Sequence, residues 1–173
     1  HIGVSIVHPI MLENGWEFRT DFSQCTGDQI LGKNSIFEVY LAADKNITSR
    51  ASVPVLWDVK QATIVSNESS EIIRMFNSAF EQISVNELDL YPRTLRTEID
   101  ELNAMIYDDV NNGVYKTGFA TSQKSYTESF TKLFECLEEL EQRLSINRFL
   151  LGDKLTEADW RLFTTLVRFD AVY

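Results

Sequence analysis

Between residues 53 and 77 the chain reads VPVLWDVKQATIVSNESSEIIRMFN, and its apolar positions change rhythm twice. An apolar run, Val53 to Trp57, gives way to the turn stretch Asp58 to Ala62. A second, β-branched run follows at Thr63 to Val65, and then Ile72, Ile73 and Phe76 recur at helical spacing. This pattern predicts strand, turn, strand, helix. Pro54 has no amide hydrogen to give a ladder, so it belongs at a strand start, at an edge or in a special turn. Ser66 or Asn67 can cap the helix, and Glu68 and Glu71 sit where its dipole favours acids. The amides of Ser69 and Ser70 then point out of the helix end. Two readings stand side by side: these residues only cap a helix, or the free amides take an anionic ligand.

The flanking patterns are of two kinds. Upstream, Ile2, Val4 and Ile6 alternate with polar or small residues, which predicts a buried strand over residues 2 to 7, closed by Pro9. Residues 11 to 35 form a long connection without clear periodicity, the kind that carries function or wraps a neighbour. Trp16 within it is either a packing anchor or an aromatic wall and indole donor beside a ligand. NSIFEVYLAA, residues 34 to 43, predicts a short helix with Ile36, Val39 and Tyr40 on one face. Arg50 is either a surface residue or an arginine held near the strand entry to meet a carboxylate.

Downstream the pattern is helical only. Leu95, Ile99, Leu102, Ile106 and Val110 predict one helix ending near Asn111–Asn112–Gly113. The change of regime places residues 1–80 in one domain, 81–91 in a linker and 92–173 in a second domain. Tyr107 and Tyr115 fall near that helix end; a tyrosine there either packs with its hydroxyl in water or faces a cleft. Residues 121 to 145 predict the next helix, with the stripe Tyr126, Phe130, Leu133, Phe134, Leu137, Leu140 and Leu144 opposite a solvated acidic face. Thr156 to Asp159 has the form of a capping box, with Leu155 and Trp160 placed to staple it. It should start a further helix through Phe163, Leu166 and Val167.

Composition narrows the chemistry. The 173 residues are 44% apolar and 24% charged, and the formal charge is 16 − 26 = −10. So acidic a chain disfavours a nucleic-acid partner and an anionic membrane surface, and no stretch approaches the length of a membrane span. Cys25 and Cys136 make neither a disulfide framework nor a CxxC; Cys136 falls on the core side of its predicted helix. Two histidines, His1 and His8, close together at the start, do not make a zinc site of the usual kind, and no metal is expected. The strand pattern at His1 and the helical run through Tyr173 lack start and stop signals, so the chain reads as part of a longer one.

VPVLWD, SNESSEIIRMFN, TGFATSQ and GDKLTEAD, with GWEF around Trp16, together resemble the glutathione S-transferase superfamily, and within it the Xi class, the glutathionyl-hydroquinone reductases. The likeness runs along essentially the whole chain. It implies an α/β thioredoxin-like N-terminal domain and an all-α C-terminal domain, both incomplete. It implies glutathione as co-substrate, quinone or hydroquinone conjugates as acceptors, a homodimer and a cytoplasmic location. It also implies a cis Val53–Pro54 bond, with the Val55 backbone pairing with the cysteinyl part of glutathione. Glu68 and Ser69 match the pair that holds its γ-glutamyl end; Trp16 and Arg50 match residues lining the rest of that site. Tyr115 looks like a tyrosine of the phenol pocket, and Tyr173 like another.

One family feature is missing. The Cys-Pro-Trp-Ala segment that carries the nucleophile does not occur in the sequence, and Cys25 does not match it. In the family mechanism that thiolate attacks the sulfur of a glutathionyl-hydroquinone, the hydroquinone leaves, and a second glutathione resolves the mixed disulfide. Two other readings stand beside it. One is another cysteine-type glutathione transferase, acting on dehydroascorbate or mixed disulfides. The other is a non-catalytic interaction module of the same fold.

Overall fold

The computed structural model describes residues 2–80, 82–83 and 88–173. It divides into two compact units, residues 1–75 and 76–173. The linker expected at 81–91 lies partly outside the described residues.

The first unit is built on helix α1, Ile36–Ala43, and an antiparallel hairpin of β1, Leu56–Asp58, and β2, Thr63–Ser66. Helix α1 begins in a capping box: the Glu38 carboxylate accepts the Asn34 and Ser35 amides at 2.8 and 3.0 Å. Ile36, Val39 and Tyr40 are buried as the spacing predicts, and Trp16, Phe18, Val55, Trp57 and Ile64 pack on them. The hairpin pairs Trp57 with Ile64 and Leu56 with Ser66, so Val65 is bulged out of the ladder. Its turn is tied by the Asp58 carboxylate, which accepts the Lys60 and Gln61 amides at 2.8 and 2.9 Å.

Residues 2 to 7 correct the buried strand. They take no regular structure and are mostly exposed, and only His8 after them is buried. A strand needs a partner for its amides and carbonyls; here the Ile6 amide bonds instead to the Thr26 hydroxyl at 2.8 Å, and Ser5 Oγ accepts the Gln29 amide.

Helix α2, Ser69–Ser78, also starts later than expected. The capping position is Glu68, whose carbonyl accepts the Glu71 and Ile72 amides, rather than Ser66 or Asn67. Ser66 still acts there through its hydroxyl, which accepts the Glu68 amide at 3.1 Å and donates to Glu71 at 2.8 Å.

The second unit is all-helical: α3, Arg96–Met105; α4, Gly113–Gly118; α5, Gln123–Ile146; α6, Glu157–Leu166; and the short α7, Phe169–Val172. Leu102, Ile106, Val110, Val114, Leu133, Cys136, Leu140, Leu150, Ala158 and Leu162 form its core. The stop expected at Asn111–Gly113 does not occur. Residues 106–111 widen into a π-turn, in which the Asn112 amide reaches the Tyr107 carbonyl five residues back, and the chain continues into α4. Asn112 stays right-handed at φ −87°, so no left-handed residue ends the helix. The Asn111 side chain donates instead to Thr165 Oγ1 at 2.7 Å and to the Arg161 carbonyl at 3.1 Å on α6.

A Cβ at Gly113 would meet Leu133 no closer than 3.5 Å, an ordinary contact. Gly113→Ala is therefore expected to raise the unfolding free energy by about 0.5–1 kcal/mol, through the helix preference of alanine. A fall in urea midpoint would show that the fit against Leu133 is tighter than this.

Candidate functional site

In the first unit, Trp16 is half-buried and its carbonyl accepts the Ile36 amide at 2.8 Å, which fixes it beside the start of α1. Arg50 is exposed, and among the described residues its guanidinium meets no carboxylate. The Val53–Pro54 bond is cis, and Val55 follows it, half-buried against Tyr40 and its neighbours. Glu68 and Ser69 are exposed at the entrance to α2. The Ser69 and Ser70 amides precede the first intrahelical bond, which runs from Glu71. Such a helix start offers N–H donors to a carboxylate, Arg50 offers a cation, and Glu68 offers an acceptor for an ammonium. The chemistry of this set suits a zwitterionic peptide.

Sequence reasoning missed the residues that join these segments. Tyr40 was legible only as a core residue. Its hydroxyl donates to the Ser52 carbonyl at 3.0 Å and accepts the Ser52 amide at 3.3 Å, and Asn67 donates to Ser52 Oγ at 3.2 Å. Nothing in the spacing of Tyr40, Ser52 and Asn67 marks that meeting.

In the second unit the structure brings together Tyr115 and Tyr173, which are 58 residues apart. Their hydroxyls are 2.9 Å from each other and their rings meet edge to face at 5.3 Å. Burial and the hydrogen bond with Tyr115 push the Tyr173 phenol above its ordinary range, against the Arg168 guanidinium 5.7 Å from its ring centroid. Either hydroxyl of the pair can serve as the hydrogen-bond donor. Tyr107 is exposed and takes no part in this pair.

Neither cysteine takes a nucleophile's place. Cys136 is buried on α5, and burial, with Asp109 and Glu139 nearby, pushes its thiol up to about 11. Cys25 is half-exposed and its thiol points to the Val7 carbonyl at 3.5 Å. Among the described residues no group of histidine, cysteine and carboxylate side chains could hold a metal, and no helix is long and apolar enough to cross a membrane.

In chain order, a hairpin with a cis proline, a portion of a thioredoxin-like fold, followed by an all-helical unit is the pattern of an incomplete glutathione transferase fold. Residues 123–173 match the family described as glutathione S-transferase, C-terminal domain. The chain is 58% identical over 172 residues to the glutathionyl-hydroquinone reductase YqjG of Escherichia coli K12, covering 99% of this chain and 52% of that protein. The glutathione-bound structure of YqjG superposes with a TM-score of 0.96 at 57% identity, over 98% of this chain and 55% of that one. Glutathione transferase Xi 1 from Trametes versicolor superposes with a TM-score of 0.93 at 49% identity, over 98% of this chain and 60% of that one. The chain is a homologue of the Xi-class glutathione transferases along essentially its whole length. It spans about half the length of the curated relatives it matches.

Proposed function

We propose that the intact protein is a glutathione-dependent reductase that removes glutathione from glutathionyl-hydroquinones. The observation that carries the reading is the 58% identity to a glutathionyl-hydroquinone reductase, over 99% of this chain. Residues 1–80 act as the glutathione-binding domain, 81–91 as the linker and 92–173 as the acceptor domain. The Val55 backbone pairs with the cysteinyl part of glutathione, Glu68 and Ser69 hold its γ-glutamyl end, and Trp16 and Arg50 line the rest. Tyr115 and Tyr173 receive the phenolic ring. The protein works in the cytoplasm as a homodimer, as the family resemblance implies.

The nucleophile is a cysteine outside this sequence. Its thiolate takes the sulfur of the conjugate, forming a sulfur–sulfur bond as the carbon–sulfur bond breaks, and the ring leaves with the bonding pair. A proton completes the free hydroquinone, and the tyrosine pair is placed to assist the leaving ring. A second glutathione then releases the disulfide of glutathione and restores the thiol. Each turnover reduces one ring carbon and oxidises two glutathione sulfurs. Incubating the intact protein with a glutathionyl-hydroquinone and glutathione is expected to yield hydroquinone and glutathione disulfide in equal amounts. No released hydroquinone overturns the proposal.

A further inference from the structure

Three segments of the first unit converge on Ser52. Tyr40, only 4% exposed, reaches it from α1. The tyrosine hydroxyl spends its hydrogen on the Ser52 carbonyl at 3.0 Å, accepts the Ser52 amide at 3.3 Å and lies 3.4 Å from the Ser52 hydroxyl. Asn67 donates to that hydroxyl from the far side at 3.2 Å. Ser52 lies two residues after Arg50 and three before Val55, and Asn67 immediately precedes Glu68 and Ser69. Next to Asn67, the Ser66 hydroxyl holds the Glu68 amide.

We propose that Tyr40, Ser52 and Asn67 form a clasp that sets the spacing between the two segments gripping glutathione, one carrying Arg50 and Val55 and the other Glu68 and Ser69. The inference rests on the glutathione reading above and deepens it: these are positioning residues that the ligand need not touch. Both backbone polar groups of Ser52 are tied to one buried hydroxyl, so segment 50–55 cannot slide along α1 while the bonds hold. Asn67 extends the same anchor to the start of α2. A ligand held by both segments gains from this preset spacing; a ligand held by one does not.

That difference separates positioning from plain stabilisation. Titration calorimetry on the intact protein compares glutathione with cysteinylglycine, which lacks the γ-glutamyl end. Tyr40→Phe keeps the ring and removes the hydroxyl. It is expected to weaken glutathione about tenfold and to leave cysteinylglycine unchanged. Asn67→Ala, at a half-buried position, is expected to act in the same direction and serves if Tyr40→Phe does not fold. Ser52→Ala should follow it, and Ser52→Thr, which keeps the hydroxyl, should restore parent affinity. In a double variant the effects should be less than additive, because both bonds act through one residue. Equal weakening of both ligands, or no weakening in any variant, overturns the clasp while leaving the glutathione site in place. Failure of the parent protein to bind glutathione overturns the site reading and the clasp with it.

Discussion

Asp159→Ala is expected to lower the free energy of unfolding by about 3–5 kcal/mol, several times the ~1 kcal/mol of an ordinary helix cap. The carboxylate does more than cap. One oxygen accepts the Thr156 amide at 2.8 Å and the Thr156 hydroxyl at 2.9 Å, closing the capping box of α6. The other accepts the Leu150 amide at 2.8 Å, across the turn from α5. Leu150 is 2% exposed and Thr156 not at all, so truncation strands donors that water cannot reach. Each costs about 1–3 kcal/mol when left unpaired. Urea unfolding followed by circular dichroism measures the loss. A value near 1 kcal/mol would mean that the Leu150 bond adds nothing to the cap.

The second large effect concerns turnover. Tyr115→Phe in the intact protein is expected to lower kcat for a glutathionyl-hydroquinone by about 10²-fold, the lower end of what a positioned acid contributes. Phenylalanine preserves the edge-to-face contact with Tyr173 and removes only the hydroxyl of the 2.9 Å pair. The KM for glutathione should stay within about twofold, because that ligand's proposed contacts lie on other residues. An unchanged kcat would remove Tyr115 from the chemistry; a raised KM with kcat intact would make it a binding residue only.

The hairpin, α1, α5 and the capping box of α6 were legible because each rests on local chemistry: alternation, a 3.6-residue stripe or a side chain three residues from its amide. Residues 2 to 7 misled because alternation says which face is apolar and not whether a partner strand is at hand. On α5, Leu133, Cys136 and Leu140 are the buried positions. Tyr126, Phe130 and Phe134 stay partly exposed and pack on one another at 5.8 and 4.4 Å, which periodicity alone does not separate from burial. The π-turn did leave a trace. Leu102, Ile106, Val110 and Val114 follow at three successive four-residue steps. Each such step overshoots an α-helical turn by about 40°, and a wider i→i+5 turn absorbs the drift. Of the proposed site, helix-start chemistry and motif likeness are what single out Glu68, Ser69 and Val55. The meeting of Tyr115 with Tyr173 is a tertiary event across 58 residues, and no local rule encodes it.

The buried state of Cys136 has a practical consequence for counting active molecules. Its thiol is shielded and reluctant to ionise at the pH of common alkylating reagents. In a native preparation this stretch of chain therefore withholds Cys136 from a label, while unfolding exposes it beside Cys25. Labelling stoichiometry before and after denaturant thus gives an internal gauge of folded fraction. A Cys25→Ser background would let any further reactive cysteine of the intact protein be titrated directly.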